Sequence, residues 1–322
     1  MIHKTHALFI GISVLLFSLT PLLLSADVLS ISSTSEDKEV DNYSCVTVPR
    51  SIVFCGKTID LTRYDRHEHM DRELLAFSYM HSTSLQTIKR ANRYFPIVEP
   101  ILKEYGIPDD FKYLMAIESG ANPFARSHAG ASGLWQIMPV TGKQLGLVVN
   151  NYVDERYDVV KSTKAACKYF KEAYERFGDW ISVAASYNAG QARISQQQKR
   201  QYTDETLDLR LVEETSRYVY RIFAIKMLFN NPKDFGFYLK SSDLYPVIPC
   251  RRIEVSKDIT DLARFAKSQG TTYALLRDLN PWIRNSVLHC HGKTYTILIP
   301  DSEGMHYNPK VIIPHDKRWV VD

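Results

Sequence analysis

Cysteine is scarce in this sequence, five among 322 residues, and no two stand in Cys-x-x-Cys spacing, which speaks against thiol–disulfide catalysis. The zinc-protease pattern His-Glu-x-x-His is also missing. Its nearest approach, "RHEHMDRE", sets His67 and His69 two residues apart, and such a pair does not share a helix face. "GASGL" misses the G-x-S-x-G spacing of a nucleophile elbow, and "VTGKQ" lacks the glycine and the hydroxyl residue of a phosphate loop. "HCHG", His289 to Gly292, crowds three donors too closely to enclose a metal and reads as a turn before a strand. No cofactor is expected. A charge excess is lacking too: 40 basic and 36 acidic residues leave a net +4, too thinly spread to imply a nucleic-acid partner, although an anionic polymer stays compatible. The basic stretch "QQQKRQ" around Lys199 reads as a solvated loop. No repeat with a period of about 20 to 50 residues is visible.

What is present is an ordinary globular composition, 45% hydrophobic and 24% charged, on a chain long enough for two domains or one large one. Its core needs neither metal nor disulfide. Residues 1–26 differ from the rest: a basic start, "MIHKTH", then the apolar "ALFIGISVLLFSLTPLLL" and the small-residue site Leu24-Ser25-Ala26. This is the pattern of a secretory signal peptide; an uncleaved anchor is the rival reading, although Pro21 shortens the apolar run. The expected location is outside the cytoplasm, in the periplasm or membrane-associated. In an exported chain five cysteines permit two bridges, Cys45 with Cys55 and Cys250 with Cys290, leaving Cys167 to pack as a small hydrophobe.

Residues 27–65 read as a flexible polar lead followed by a short hairpin at "SIVFCGKTIDL". From residue 66 to about 240 the apolar spacing is helical. "DRELLAFSYMHSTSLQTIKRANRYFPIVEPILKEYGIP" should kink or restart at Pro96 and Pro100, and further helices fall on "DDFKYLMAIES", "STKAACKYFKEAYERFG", "DWISVAASYNAG" and "EETSRYVYRIFAIKMLFNN". Gly120, Gly178 and Gly190 stand where three of these should stop. Beyond the Pro, Gly and Ser of "NPKDFGFYLKSSDLYPVIP", residues 241–322 hold a compact βααβ unit and a tail. The fold class is mainly α, of the α+β kind.

Glu118 is the residue whose position needs explaining. At the end of "DDFKYLMAIES" its carboxylate meets the negative end of the helix dipole, and Leu114, Met115 and Ile117 remove water. Both effects favour a protonated carboxyl, the state a general acid requires. The plain alternative is a solvated helix-end glutamate paired with a nearby Lys or Arg. "SGANPFARSHAGASGLWQIMPVTG" follows, a long loop of small residues carrying Trp135, Gln136 and Met138. These suit a sugar groove, unless Trp135 and Met138 plug the core beneath it. Tyr187 and Asn188 close the next apolar helix, in a functional or a packing role.

"ES", "GLWQIMP" and "YNAG", in that order and at these gaps, with "DERYD" and "EETSRYV", resemble the lytic transglycosylases with a lysozyme-like fold, most closely the membrane-bound lytic murein transglycosylase D family. The resemblance runs from about Asp71 to Phe237. It implies that Glu118 is the sole catalytic acid/base, that Ser127 and Gln136 hydrogen-bond the glycan, and that Met138 and Tyr187 line the cleavage site. Ser119 completes the Glu-Ser pair on the substrate side, and Asn188 and Tyr218 match helix-end and final-helix positions. The implied substrate is the peptidoglycan glycan strand, with wall-synthesis or remodelling proteins as partners. The βααβ unit resembles a LysM module, with "SKDIT" in place of that module's Gly-Asp-Thr turn. Asp154, Asp158 and Glu214 are candidate second carboxylates for a hydrolytic muramidase, although their charge-rich surroundings suit caps and ion pairs better. A non-catalytic wall-binding protein is the third possibility.

Overall fold

The computed structural model describes residues 45–322; the signal-like segment and most of the polar lead lie outside the described residues. Strands β1 (Ser51–Phe54) and β2 (Lys57–Asp60) form an antiparallel hairpin with Ile52 opposite Ile59. Period-two alternation points Ile52, Phe54 and Ile59 inward. Phe54 then lies 5.3 Å, centroid to centroid, from Phe223 in the helical core.

Helices α1 (Tyr64–Tyr79) and α2 (His81–Glu104) follow, separated at Met80. Of the kink or restart expected at Pro96 and Pro100, the restart does not occur, and α2 runs through both. The two prolines are four residues apart and therefore share one face, which is partly exposed. Carbonyls left without helical N–H partners there can reach other donors. Helix α3 (Phe111–Ser119) has no exposed residue, with Phe111, Leu114 and Met115 inaccessible to solvent, and packs against α2 and α8 (Glu213–Asn230). Between them lie α4 (Pro139–Gln144), α5 (Val159–Phe177), α6 (Trp180–Ala189) and α7 (Gln191–Gln201). Asp158 and Asp179 cap α5 and α6 by accepting from the backbone N–H three residues on, at 2.8 and 2.9 Å. The stretch read as a solvated loop around Lys199 is α7. Its polar residues show no apolar period, yet Gln, Lys and Arg favour helix and Ile194 docks it on the core.

The C-terminal unit is β3 (Cys250–Val255), α9 (Leu262–Ser268), α10 (Tyr273–Leu279) and β4 (Tyr295–Pro300), with β3 and β4 antiparallel and Ile253 opposite Ile297. Among the described residues the fold is thus mainly helical with two small two-stranded sheets, the class expected. Buried Asn280 ties α10 to β4: its amide donates to the carbonyls of Leu276 and Leu298, at 2.8 and 2.7 Å, and accepts from Leu298 N–H at 2.8 Å. Entry and exit of the unit touch, for a Cβ on Gly304 would stand 2.3 Å from the Pro249 carbonyl oxygen.

The tail beyond Gly304 returns to the helical core. Trp319 donates its indole N–H to Phe229 O at 2.8 Å and its ring lies 5.1 Å from Phe229 and 5.9 Å from Phe95. Val320 pairs in parallel with Leu239. All five cysteines are free, so the bridges that the count permits are not made. Cys250 begins β3, whereas the Cys290 sulfur sits against the carbonyls of Val255 and Lys257 beyond its other end. A six-residue strand separates them by roughly 16 Å at ~3.3 Å per residue, far outside disulfide reach. Cys167 is buried as a small hydrophobe. Trp319→Ala should lower unfolding free energy by about 3–5 kcal/mol, measured by urea titration.

Candidate active site

Helix α3 ends where expected. Gly120 adopts the left-handed conformation, φ 59°, and its N–H bonds Ala116 O at 2.9 Å, a geometry that strains residues with a Cβ. Glu118 is therefore in the last turn, partly exposed, with its head group in crowded surroundings. Desolvation pushes its carboxyl up to about 7, against the lowering effect of a hydrogen bond from Tyr218 and of the Arg221 guanidinium; the charge of Glu214 raises it further. The Tyr218 hydroxyl donates to Glu118 Oε1. Burial and the neighbouring Glu118 charge hold the phenols of both Tyr218 and Tyr187 well above their usual range, so both remain donors. Tyr218 and Arg221 are three apart on α8 and share a face. Arg221 also borders a cavity of about 260 Å³ with Ile117, Gly120, Thr87, Phe77 and Arg217.

The α6 end is tied to the same region. Tyr187 donates to Trp135 O at 2.7 Å. Asn188 accepts from the Thr215 hydroxyl at 2.8 Å and donates to Glu214 at 3.4 Å. The loop from Ala121 to Met138 lies alongside. Trp135 is its core plug, fully buried with its indole N–H on Thr163 at 2.9 Å. Gln136, at φ 46°, spends its amide donors on Ala125 O and Gly133 O, 3.1 and 2.8 Å away, so the side-chain carbonyl is the group left to offer. The Ser127 hydroxyl accepts from Ala131 N–H at 3.0 Å and keeps its own proton to give. Met138 is 42% exposed immediately before α4. Ser119 turns back to Met115 O at 3.3 Å. The structure thus joins Tyr218 to Glu118 directly and Tyr187 to it electrostatically. No hydrogen bond among the described residues joins Glu118 to Ser119, Ser127, Gln136, Met138 or Asn188.

Two of the candidate second carboxylates are occupied elsewhere. Asp154 is buried and forked onto Arg156 at 2.9 and 2.7 Å, and Asp158 caps α5. Glu214 is exposed and close enough for its charge to act on Glu118. Arg221 escaped sequence reasoning, although its position three residues after Tyr218 could have flagged it. Arg156 also escaped it, since "DERYD" shows only charge-rich surroundings. In the structure its guanidinium also donates to Gly130 O at 2.7 Å and Ile137 O at 2.9 Å, spanning the loop. Gly133 is pressed against the same residue: a Cβ there would stand 1.9 Å from Arg156 O.

Residues 97–209 match the family model of the transglycosylase SLT domain, and residues 251–303 match the soluble lytic transglycosylase C-terminal LysM-like domain. The chain thus carries an SLT domain and a LysM-like domain. It is 30% identical over 238 residues to membrane-bound lytic murein transglycosylase D of Escherichia coli, covering 72% of this chain and 51% of that one. A putative tributyltin chloride resistance protein of Alteromonas sp. is 34% identical over 106 residues, 33% of this chain and 51% of that one. The chain spans about half the length of these curated relatives. An X-ray structure of an inactive mutant of lytic transglycosylase Slt from Pseudomonas aeruginosa overlaps 41% of this chain and 23% of its own at 21% identity and TM-score 0.33, an overlap too slight to carry weight. Glu118, Ser119, Ser127, Gln136, Met138, Tyr187 and Asn188 fall inside the SLT match, whereas Tyr218 lies beyond it.

The bond from Tyr218 favours the Glu118 carboxylate, so its removal favours the acid. In Tyr218→Phe the Glu118 carboxyl should titrate higher than in the wild type, measured by carbon-13 NMR of labelled glutamate side chains across pH 4 to 9.

Proposed function

We propose that this chain is a lytic transglycosylase that cuts the β-1,4 bond between N-acetylmuramic acid and N-acetylglucosamine in peptidoglycan and leaves 1,6-anhydromuramic acid ends. The observation that carries this reading is one carboxyl, Glu118, pushed up to about 7 and held by Tyr218, while Asp154 and Asp158 are committed to structural contacts and Glu214 is an exposed side chain that accepts from Asn188. The SLT match and the resemblance to lytic murein transglycosylase D support it.

Near neutrality Glu118 is present in both forms. The acid donates its proton to the glycosidic oxygen as the bond to the anomeric carbon breaks. The substrate's N-acetyl oxygen stabilises that carbon from the opposite side, doing the work of the second carboxylate in hydrolytic glycosidases. The resulting Glu118 carboxylate then takes the proton of the C6 hydroxyl while that oxygen closes on the anomeric carbon. The acid is restored and water is not consumed. Tyr218 orients Glu118 and supports its charged half-cycle. Gln136 offers a carbonyl and Ser127 a hydroxyl proton to the glycan, with Met138 and Tyr187 lining the cleavage site and Ser119 and Asn188 closing its ends.

On this reading residues 66–240 are the catalytic domain, 241–322 hold the LysM-like module and tail, and residues 1–26 direct export to the periplasm. The Escherichia coli relative is named membrane-bound, and among the described residues no helix is long and apolar enough to cross a membrane. Wall-synthesis and remodelling proteins are the expected partners.

Digestion of purified sacculi should release muropeptides one water lighter than hydrolytic products, measured by mass spectrometry; products of full hydrolytic mass would make the enzyme a muramidase. Glu118→Gln, near-isosteric but unable to shuttle a proton, should bind sacculi and lose turnover by roughly 10²- to 10⁴-fold. In the wild type, donation to the leaving oxygen should weaken as pH rises through about 7, where Glu118 ionises.

A further inference from the structure

We propose that the C-terminal module is a clamp that holds the glycan-binding loop in shape, acting through segment 152–157 and the positioning residue Arg156. The interface with that segment combines backbone pairing, apolar burial and a cation over a ring. Val153 and Ile283 form an antiparallel bridge, Asp154 N–H donates to Trp282 O, and Arg284 N–H donates to Tyr152 O, each at 2.8 Å. Val153 is 1% exposed and Tyr157 4%, and both belong to the module's apolar cluster with Ile283, Leu288 and Ile297 rather than to the core of the helices. The Arg284 guanidinium covers the Tyr157 ring at 4.5 Å, and the ammonium of Lys161 from α5 lies 5.1 Å over Tyr295.

The segment so held is the support of the loop. Apart from one short 3-10 turn at Glu155–Tyr157 it has no regular structure, so its backbone groups need partners from elsewhere, and the module supplies two. Asp154, whose N–H is fixed by Trp282, fixes the Arg156 guanidinium, and Arg156 holds Gly130 O and Ile137 O. Those carbonyls bracket the turn that sets Gln136 at φ 46° and presses Gly133 onto Arg156 O. Glu118 stands on α3, which the helical core fixes, and its bonded partner Tyr218 stands on α8, so neither is held by Arg156. Loosening the clamp should therefore weaken glycan binding and leave proton transfer intact. The inference rests on the proposed function only for what the loop binds.

The test is the full-length double variant Val153→Asp/Arg284→Ala, which buries a carboxylate in the interface and removes the guanidinium while leaving the module's buried side chains unaltered. Hydrogen exchange read by mass spectrometry should show residues 127–138 losing protection together with 148–157, with α3 and α8 as protected as in the wild type. On soluble glycan oligomers KM should rise roughly tenfold with the pH profile of kcat unchanged. Protection retained at 127–138 while 148–157 is released would overturn the clamp, and so would protection unchanged in both. A second variant, Arg156→Lys, keeps the module contacts but cannot span both carbonyls; it should loosen 127–138 alone, and an undisturbed loop would overturn the role of Arg156 even where the double variant unfolds. The exchange experiment needs no substrate. A wild type that fails to cut glycan therefore sinks the proposed function without deciding the clamp.

Discussion

The burial of α3 is the constraint on which the site depends. A nine-residue helix enclosed by α2 and α8 has no freedom to slide, so the turn that ends it is fixed in space. Gly120 stops it in the one conformation that closes the last carbonyl bond and turns the chain outward. Glu118 is left at the boundary, close enough to the core to lose much of its hydration and open enough to meet a ligand. Such a carboxyl is costly to ionise, and its pKa near 7 expresses that cost. Tyr218, on the neighbouring buried helix, offsets part of it. The chemistry is therefore a consequence of packing: the helices that make the core also set the acid strength.

Ser127, Gln136 and Met138, three of the groups proposed to meet the substrate, are built on a different principle. They lie on a loop without regular structure, and loops hold catalytic geometry only when something rigid supports them. Here the support is a buried guanidinium. Arg156 distributes its donors over Asp154, Gly130 and Ile137, so its charge is paired and its remaining N–H groups span the turn. Removing one partner from such a buried pair typically costs about 3–5 kcal/mol, because the other charge is stranded. The close contact of Gly133 with the Arg156 backbone makes the fit steric as well as electrostatic.

Features written in short stretches of sequence were legible. The apolar run ending at Gly120 announced both the helix end and the unusual position of Glu118, and the charge-rich setting of Asp158 announced its cap on α5. What depended on partners distant in the chain was not. Arg156 reaches carbonyls 19 and 26 residues away, and nothing near "DERYD" indicates which. Trp319 sits 90 residues from the carbonyl it bonds, in a tail without any helical or strand period. The prolines of α2 allowed a restart that does not occur, and α7 was missed because a helix with Ile194 as its one buried residue shows almost no apolar period. Trp135 was ambiguous for a related reason: an indole suits a sugar or a core equally, and only the Thr163 hydroxyl, supplied by α5, decides for the core.

The path of the chain explains how a small second unit can influence the first. The C-terminal module leaves and re-enters at one point, Pro249 against Gly304, and both flanks are fastened to the helices: Asn92 on α2 bonds Tyr245 O on one side and His315 N–H on the other, at 3.1 and 2.7 Å, and Leu239 pairs with Val320. A module tethered at one end by a flexible linker would contribute mainly effective concentration. One whose two flanks are both anchored has far less orientational freedom to lose on docking, so even a modest interface, Val153 and Tyr157 against Ile283 and Arg284, can be occupied nearly all the time. The tail that returns Trp319 to the core is thus part of the same device, since it converts a pendant module into an insertion.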